Sequence, residues 1–270
     1  MSATAVHRRV AHVMGMPISL ALRGRHTTDA AADRAWEAVL ASLRETDAVF
    51  STYRPDSWVS RLGRDEVSVA DCPPEVAEVL ALGEAARAQS AGVFDVRRPG
   101  AGGVTVLDPS GVVKGWAVER AAEALRRVED TDWCLSAGGD MVCHVARADG
   151  EPWQVGVEDP LDPRRVVARV PVRRGAVATS GTAHRGEHLV DARTGRPPRG
   201  VASVTVVGPD LTWADLDATS AYAQGTAALD WLRSREGRCG VVVWSDGRAE
   251  VFGAPGPPDV RGPKARQSVE

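Results

Sequence analysis

The sequence predicts an α+β fold with a mixed or antiparallel sheet, and three observations lead there. Segments with helical period and runs of β-branched residues are interleaved, but without the strict strand–helix–strand alternation of a parallel sheet. No GxGxxG follows a strand and no P-loop occurs, so the usual nucleotide cradles of a doubly wound sheet are absent. The 270 residues are 43% hydrophobic and 26% charged, ordinary globular values. A chain of this size buries roughly 70–75% of its unfolded surface and needs no staples. At about 150 residues per domain the length allows one or two domains. We read residues 1–253 as one folded domain and 254–270, rich in Pro, Gly and charge, as a disordered tail.

The elements follow in order. His7-Arg8-Arg9 and the apolar stretch to Leu22 mimic a signal peptide, but His12, Gly15 and Pro17 interrupt it and no small-residue cleavage site follows. Ile18, Leu20 and Leu22 alternate with Ser19, Ala21 and Arg23, as in a half-buried strand. These features predict a cytoplasmic protein. Trp36, Val39, Leu40 and Leu43 follow the i, i+3, i+4, i+7 pattern of a first helix, with Thr28-Asp29 placed to cap it. Pro73-Pro74-Glu75 opens a second helix through Val76, Val79 and Leu80, ending near Gly92. Val118, Ala121, Ala122 and Leu125 mark a third, beginning close to Lys114, and a fourth starts around 213–215 and runs toward Trp231. Strand-like runs lie at 153–157, 166–172, 203–207 and 240–244; Pro171 puts its run at a sheet edge or ends it.

Composition excludes several functions. With 33 Lys+Arg against 36 Asp+Glu the formal charge is −3, which gives no electrostatic reason to bind nucleic acid. The aromatics (8 Trp, 2 Tyr, 3 Phe) do not cluster into a base-stacking platform. No apolar run approaches the ~20 residues of a membrane helix. Cys72, Cys134, Cys143 and Cys239 form no CxxC pair, so reduced, mostly buried thiols are expected. One count stands out: the only lysines are Lys114 and Lys264, while arginine supplies every other basic charge. A lysine inside the folded body is therefore a candidate for work that a planar guanidinium cannot do.

Five stretches concentrate polar residues and glycine. The first is 50–57, with Tyr53. The second, 108–115, brings Lys114 to a predicted helix start, where amide groups favour an anion and an ammonium suits phosphate; Asp108-Pro109-Ser110-Gly111 alone is an ordinary turn. In the third, Gly138-Gly139-Asp140, the glycines serve either a tight turn or a close approach of backbone to a ligand. The fourth runs from Thr179-Ser180-Gly181 through His184 and His188 to Asp191–Gly195. His184 to His188 matches the H-x-x-E-H zinc-peptidase pattern, but that chemistry needs a helix, and Gly186 sits in its middle. In the fifth, Asp215 and Thr219 are i, i+4 and share a helical face, while Asp217 points elsewhere. A carboxylate with a hydroxyl is a hard oxygen pair suited to Mg²⁺. The alternative is an acidic first turn facing the helix dipole, with Thr219 bonded back to its own backbone.

Together and in this order, these stretches resemble FAD:protein FMN transferases, the ApbE family. The resemblance begins at Val13-Met14-Gly15-Met16-Pro17 and runs through 50–57, Gly92-Val93-Phe94-Asp95, 111–115, Gly138-Gly139-Asp140 and Thr179-Ser180-Gly181. It closes with 188–195 and Asp215-x-x-x-Thr219, covering about residues 10–250. It implies the T-fold-like ApbE architecture, with mixed or antiparallel sheets and packed helices. It also implies Mg²⁺ held by Asp215, Thr219 and the Val113 carbonyl. Met16, Tyr53, Lys114, Glu119, Gly139, Asp140 and Ser180 fall in or beside FAD-contacting motifs, and His188 falls near the reacting phosphate. Met16, Glu119 and Ala192 replace residues more usual in the family, and the segment between Phe94 and Asp108 is short.

The reaction so implied moves FMN from FAD to a Thr or Ser of a partner flavoprotein and releases AMP, with His188 as base and Lys114 as a second positive centre. The alternatives are an FAD pyrophosphatase on the same site and a flavin-binding protein without chemistry.

Overall fold

The computed structural model describes residues 5–99, 104–181 and 189–253. Strands β1 (His7–Val13) and β2 (Met16–Gly24) form a hairpin at one edge of the sheet. On β2 the predicted alternation is realised: Ile18, Leu20 and Leu22 are at most 1% exposed, while Ser19, Ala21 and Arg23 are half-buried. Full burial of each such side chain contributes about 1.5–3 kcal/mol. Helix α1 (Ala30–Phe50) starts where the sequence places it, the Asp29 carboxylate accepting the amides of Ala31 and Ala32. A short α2 (Trp58–Gly63), capped by Ser57, is not signalled by period because it has barely more than one turn. Helix α3 (Pro74–Gln89) opens on its proline, and Gly92, at φ +83°, closes the chain back on the Arg87 carbonyl.

After a small hairpin of β3 (Arg97–Pro99) and β4 (Thr105–Leu107) comes α4 (Ser110–Arg126). It begins four residues before Lys114, because the Pro109 carbonyl accepts the Val112 and Val113 amides and Asp108 accepts that of Ser110. Lys114 therefore stands in the second turn, not at the amide end. Strands β5 (Thr131–Ala137) and β6 (Asp140–His144) form a hairpin around Gly138-Gly139. Then follow β7 (Trp153–Asp159), β8 (Asp162–Val172), β9 (Arg174–Gly181), β10 (Val201–Gly208), α5 (Leu211–Ala223), α6 (Ala228–Arg233), β11 (Cys239–Trp244) and β12 (Ala249–Phe252). The fourth helix expected from sequence is thus two. Gly225, at φ +60°, turns the chain where a Cβ would stand 2.8 Å from the Arg199 carbonyl, a conformation and a closeness that only glycine accepts.

Eight strands form one open sheet in the order β1-β2-β5-β6-β9-β10-β11-β12. Every neighbouring pair is antiparallel. Of the two sheet types expected, the antiparallel one is built, and it does not close into a barrel among the described residues. One face carries Leu20, Leu135, Ala178, Val204 and Val242 against the helices. The other carries Cys143, Val177, Val241 and Val243 under the β7–β8 hairpin, which leaves Pro171 on an edge strand as predicted. Cys143 is buried; Cys72, Cys134 and Cys239 are half-buried, and all four are free thiols. Among the described residues no helix is long and apolar enough to cross a membrane. The proposed tail at 254–270 lies outside the described residues.

Candidate active site

The site grows from the crossing of α4 and α5. A Cβ on Gly115 would stand 2.8 Å from the Leu211 carbonyl and 2.9 Å from the Asp215 Cβ, so glycine is what lets the two helices approach. The residue before it, Lys114, then places Nζ 3.2 Å from Asp215 Oδ1 and 2.5 Å from Asp140 Oδ2. Both carboxylates are about 2% exposed and the lysine 19%. Burial alone would lower the Lys114 pKa, but the two carboxylates reverse this and hold it raised, so the ammonium keeps its charge. Burial pushes Asp215 up to about 6 even against the attraction of Lys114, and the nearby Asp140 charge adds to the rise.

Two buried carboxylate oxygens of the site make no regular hydrogen bond, Asp140 Oδ2, which meets Lys114, and Asp215 Oδ2, which lies beside Gly115. Buried polar atoms are nearly always satisfied, so an orphaned carboxylate oxygen marks a place for an ion or a water. One turn further on, Thr219 Oγ1 lies 2.9 Å from Ser180 Oγ on β9. The hydroxyl is turned to Ser180 and not back onto its own helix. Asp215 and Thr219 therefore share one face, as their spacing predicts, and offer only hard oxygen donors. Asp217, two residues away, is spent elsewhere: its oxygens pair with Arg235 at 2.9 Å and Arg238 at 2.8 Å, tying α5 to the segment before β11.

Asp140 is placed by the β5–β6 turn. Gly138 and Gly139 take φ +57° and +100°, and nothing lies within 4 Å of a Cβ built on Gly139; the turn's backbone, not crowding, requires glycine there. Asp140 Oδ1 then accepts the Thr179 amide at 2.9 Å, which joins this turn to Thr179-Ser180-Gly181. The role of that amide is invisible in sequence, because the signal is a backbone group on a distant strand.

The other expected residues divide. Val113 lies inside α4, 4% exposed, its carbonyl in the helix's own ladder with one lone pair to spare. Met16 is 7% exposed in the core, and Tyr53 is 97% exposed in the turn after α1. The Glu119 carboxylate accepts the Leu211 amide at 2.7 Å and pairs with Arg126, so it holds the start of α5. His188, and with it His184, lies outside the described residues. Ala192 donates its amide to the Val93 carbonyl at 2.9 Å, and a Cβ on Gly111 would stand 3.0 Å from the Phe94 ring. The 92–94 strip thereby joins the 191–195 turn to the head of α4. Among the described residues no group of three or more His, Cys, Asp or Glu side chains surrounds one point. A hard ion here would rely on one carboxylate, one hydroxyl and backbone.

The ApbE family model matches residues 14–101 and 97–243. An FAD:protein FMN transferase of Salmonella typhimurium is 28% identical over 151 residues, 52% of this chain and 43% of that protein. One of Vibrio cholerae is 32% identical over 129 residues, 44% of this chain and 39% of that protein. The match thus spans less than half the length of these curated relatives. Among solved structures, the ApbE protein of Thermotoga maritima superposes with a TM-score of 0.76 at 22% identity, covering 92% of this chain and 97% of that one. The apo form of the flavinyl transferase ApbE of Pseudomonas stutzeri gives 0.75 at 21%, covering 93% and 97%. At these identities the superpositions show the shared fold.

Proposed function

The chain belongs to the ApbE family, and from that premise we propose that it is an FAD:protein FMN transferase. It moves FMN from FAD onto a Thr or Ser hydroxyl of a partner flavoprotein and releases AMP. The observation that carries this reading is the buried Asp215, whose Oδ2 makes no regular hydrogen bond while Lys114 holds Oδ1.

The step is phosphoryl transfer, in which positioning and charge neutralisation dominate. The acceptor oxygen bonds to the FMN phosphorus, the bond to the bridging pyrophosphate oxygen breaks, and AMP leaves with that oxygen. Asp215, Thr219 and the Val113 carbonyl would hold Mg²⁺, which when bound neutralises pyrophosphate charge. The orphaned Oδ2 and the all-oxygen donor set fit such an ion. Lys114 fixes Asp140 and Asp215 and adds a positive centre. His188 accepts the proton of the acceptor hydroxyl, which at its own pKa is too weak a nucleophile. Met16, Tyr53, Gly139 and Ser180 belong to the FAD side, with the exposed Tyr53 ring free to cover a ring of FAD. Glu119 acts there by holding the start of α5. The cytoplasmic placement belongs to the same proposal.

The test is incubation of the full chain with FAD, Mg²⁺ and a candidate acceptor flavoprotein. Covalent flavin fluorescence on the acceptor is expected. FMN and AMP without a labelled acceptor would make the protein a pyrophosphatase, and intact bound FAD a carrier.

A further inference from the structure

A hydroxyl has one proton and two lone pairs, and a hard cation takes a lone pair. If Thr219 ligates an ion, its proton must point away into an acceptor, and Ser180 Oγ lies 2.9 Å from Thr219 Oγ1. We propose that Ser180 is a positioning residue of the metal site: it accepts the Thr219 proton and so fixes a Thr219 lone pair toward the ion. This rests on the reading of Asp215 and Thr219 as ligands, and it gives Ser180 work beyond contact with FAD.

The placement of Ser180 is fixed from several directions. On β9 it follows Ala176 and Ala178, both fully buried on the helix side, so the strand's period of two aims its side chain at α5. Ser180 is itself 5% exposed and in register with Val204 of β10. The residue before it is held through its amide by Asp140 Oδ1, the same carboxylate whose other oxygen meets Lys114. Ser180 accepts from Thr219 while its own proton stays available to a ligand oxygen. A second partner that orients a ligand typically governs metal affinity by about 10–100-fold.

The experiment titrates Mg²⁺ calorimetrically into the full chain without FAD, for the parent, Ser180→Ala, Thr219→Val and the double variant. We expect Ser180→Ala to weaken Mg²⁺ binding by about tenfold or more. On the Thr219→Val background it should cost nothing further, because Ser180 acts only through Thr219. Ser180→Thr, which keeps the acceptor, should recover most of the affinity. Unchanged affinity in Ser180→Ala overturns the proposal, and so does a fully additive loss in the double variant. Asp215→Ala is titrated beside them. Equal Mg²⁺ uptake by it and the parent means that the metal reading has failed, and this inference falls with it.

Discussion

Lys114 Nζ lies 3.2 Å from Asp215 Oδ1, while Oδ2 of the same buried carboxylate lies beside Gly115 and has no regular hydrogen bond. The lysine thus neutralises Asp215 on one side. The composition argument and the helix spacing meet at this pair.

If Asp215 ligates Mg²⁺, a proton competes with the metal for it. Its pKa is pushed up to about 6, so Mg²⁺ affinity should rise with pH through that value and level off above it. The sign for stability follows: a carboxyl whose folded pKa exceeds its ordinary 3.8 favours the fold at low pH, and this contribution is lost as pH rises through about 6. Calorimetric titrations between about pH 5 and 8 check the first claim. A pH-independent affinity contradicts it.

Lys114→Arg keeps the charge and should still cost at least about tenfold in activity, because a forked guanidinium does not replace a compact ammonium between two carboxylates. Lys114→Met removes the charge and leaves Asp140 and Asp215 buried together. That should lower stability by about 3–5 kcal/mol, read from denaturant unfolding. Parental activity in Lys114→Arg would make the lysine count a coincidence.

The two aspartates of α5 should separate cleanly. Asp217 serves Arg235 and Arg238, so Asp217→Ala should destabilise by about 3–5 kcal/mol yet leave Mg²⁺ affinity at the parental value wherever the protein is folded. Asp215→Ala should abolish Mg²⁺ binding. Comparable Mg²⁺ affinities in the two variants would contradict the assignment.

His188→Ala should slow FMN transfer by about 10²–10⁴-fold, the usual worth of a general base. Mg²⁺ affinity should not change. Single-turnover labelling of an acceptor measures the rate, and a loss under about tenfold would remove His188 from the base's role.

Gly115→Ala puts a methyl group 2.8 Å from the Leu211 carbonyl. Relief requires α5 to move away from α4, at about 1–3 kcal/mol, and Asp215 moves with it. A lower melting temperature together with weaker Mg²⁺ binding is expected; an unchanged pair of values is not.

The apolar stripes of α1, α3 and α4 were legible because each helix buries one face, α3 against α4 and α5, and period alone reports that. The start of α4 was not, since Asp108-Pro109-Ser110-Gly111 reads equally as a turn; only the Pro109 carbonyl, bonded to Val112 and Val113, shows that the helix has begun. Strand β9 escaped notice for a different reason. Its Ala176, Ala178 and Ser180 are small because α5 packs close above them, and small residues carry little alternation. In the site, Asp215 and Thr219 were visible from their i, i+4 spacing and Lys114 from its rarity. That Lys114 joins Asp215 to Asp140 was not, because it depends on how a helix and a hairpin cross, which no local pattern encodes.

The central claim is tested most directly by AMP release from FAD in the presence of Mg²⁺ and acceptor, compared between the parent chain and Asp215→Ala. AMP in step with acceptor labelling is expected for the parent, and neither product above background for the variant. AMP released by Asp215→Ala at the parental rate would contradict the claim.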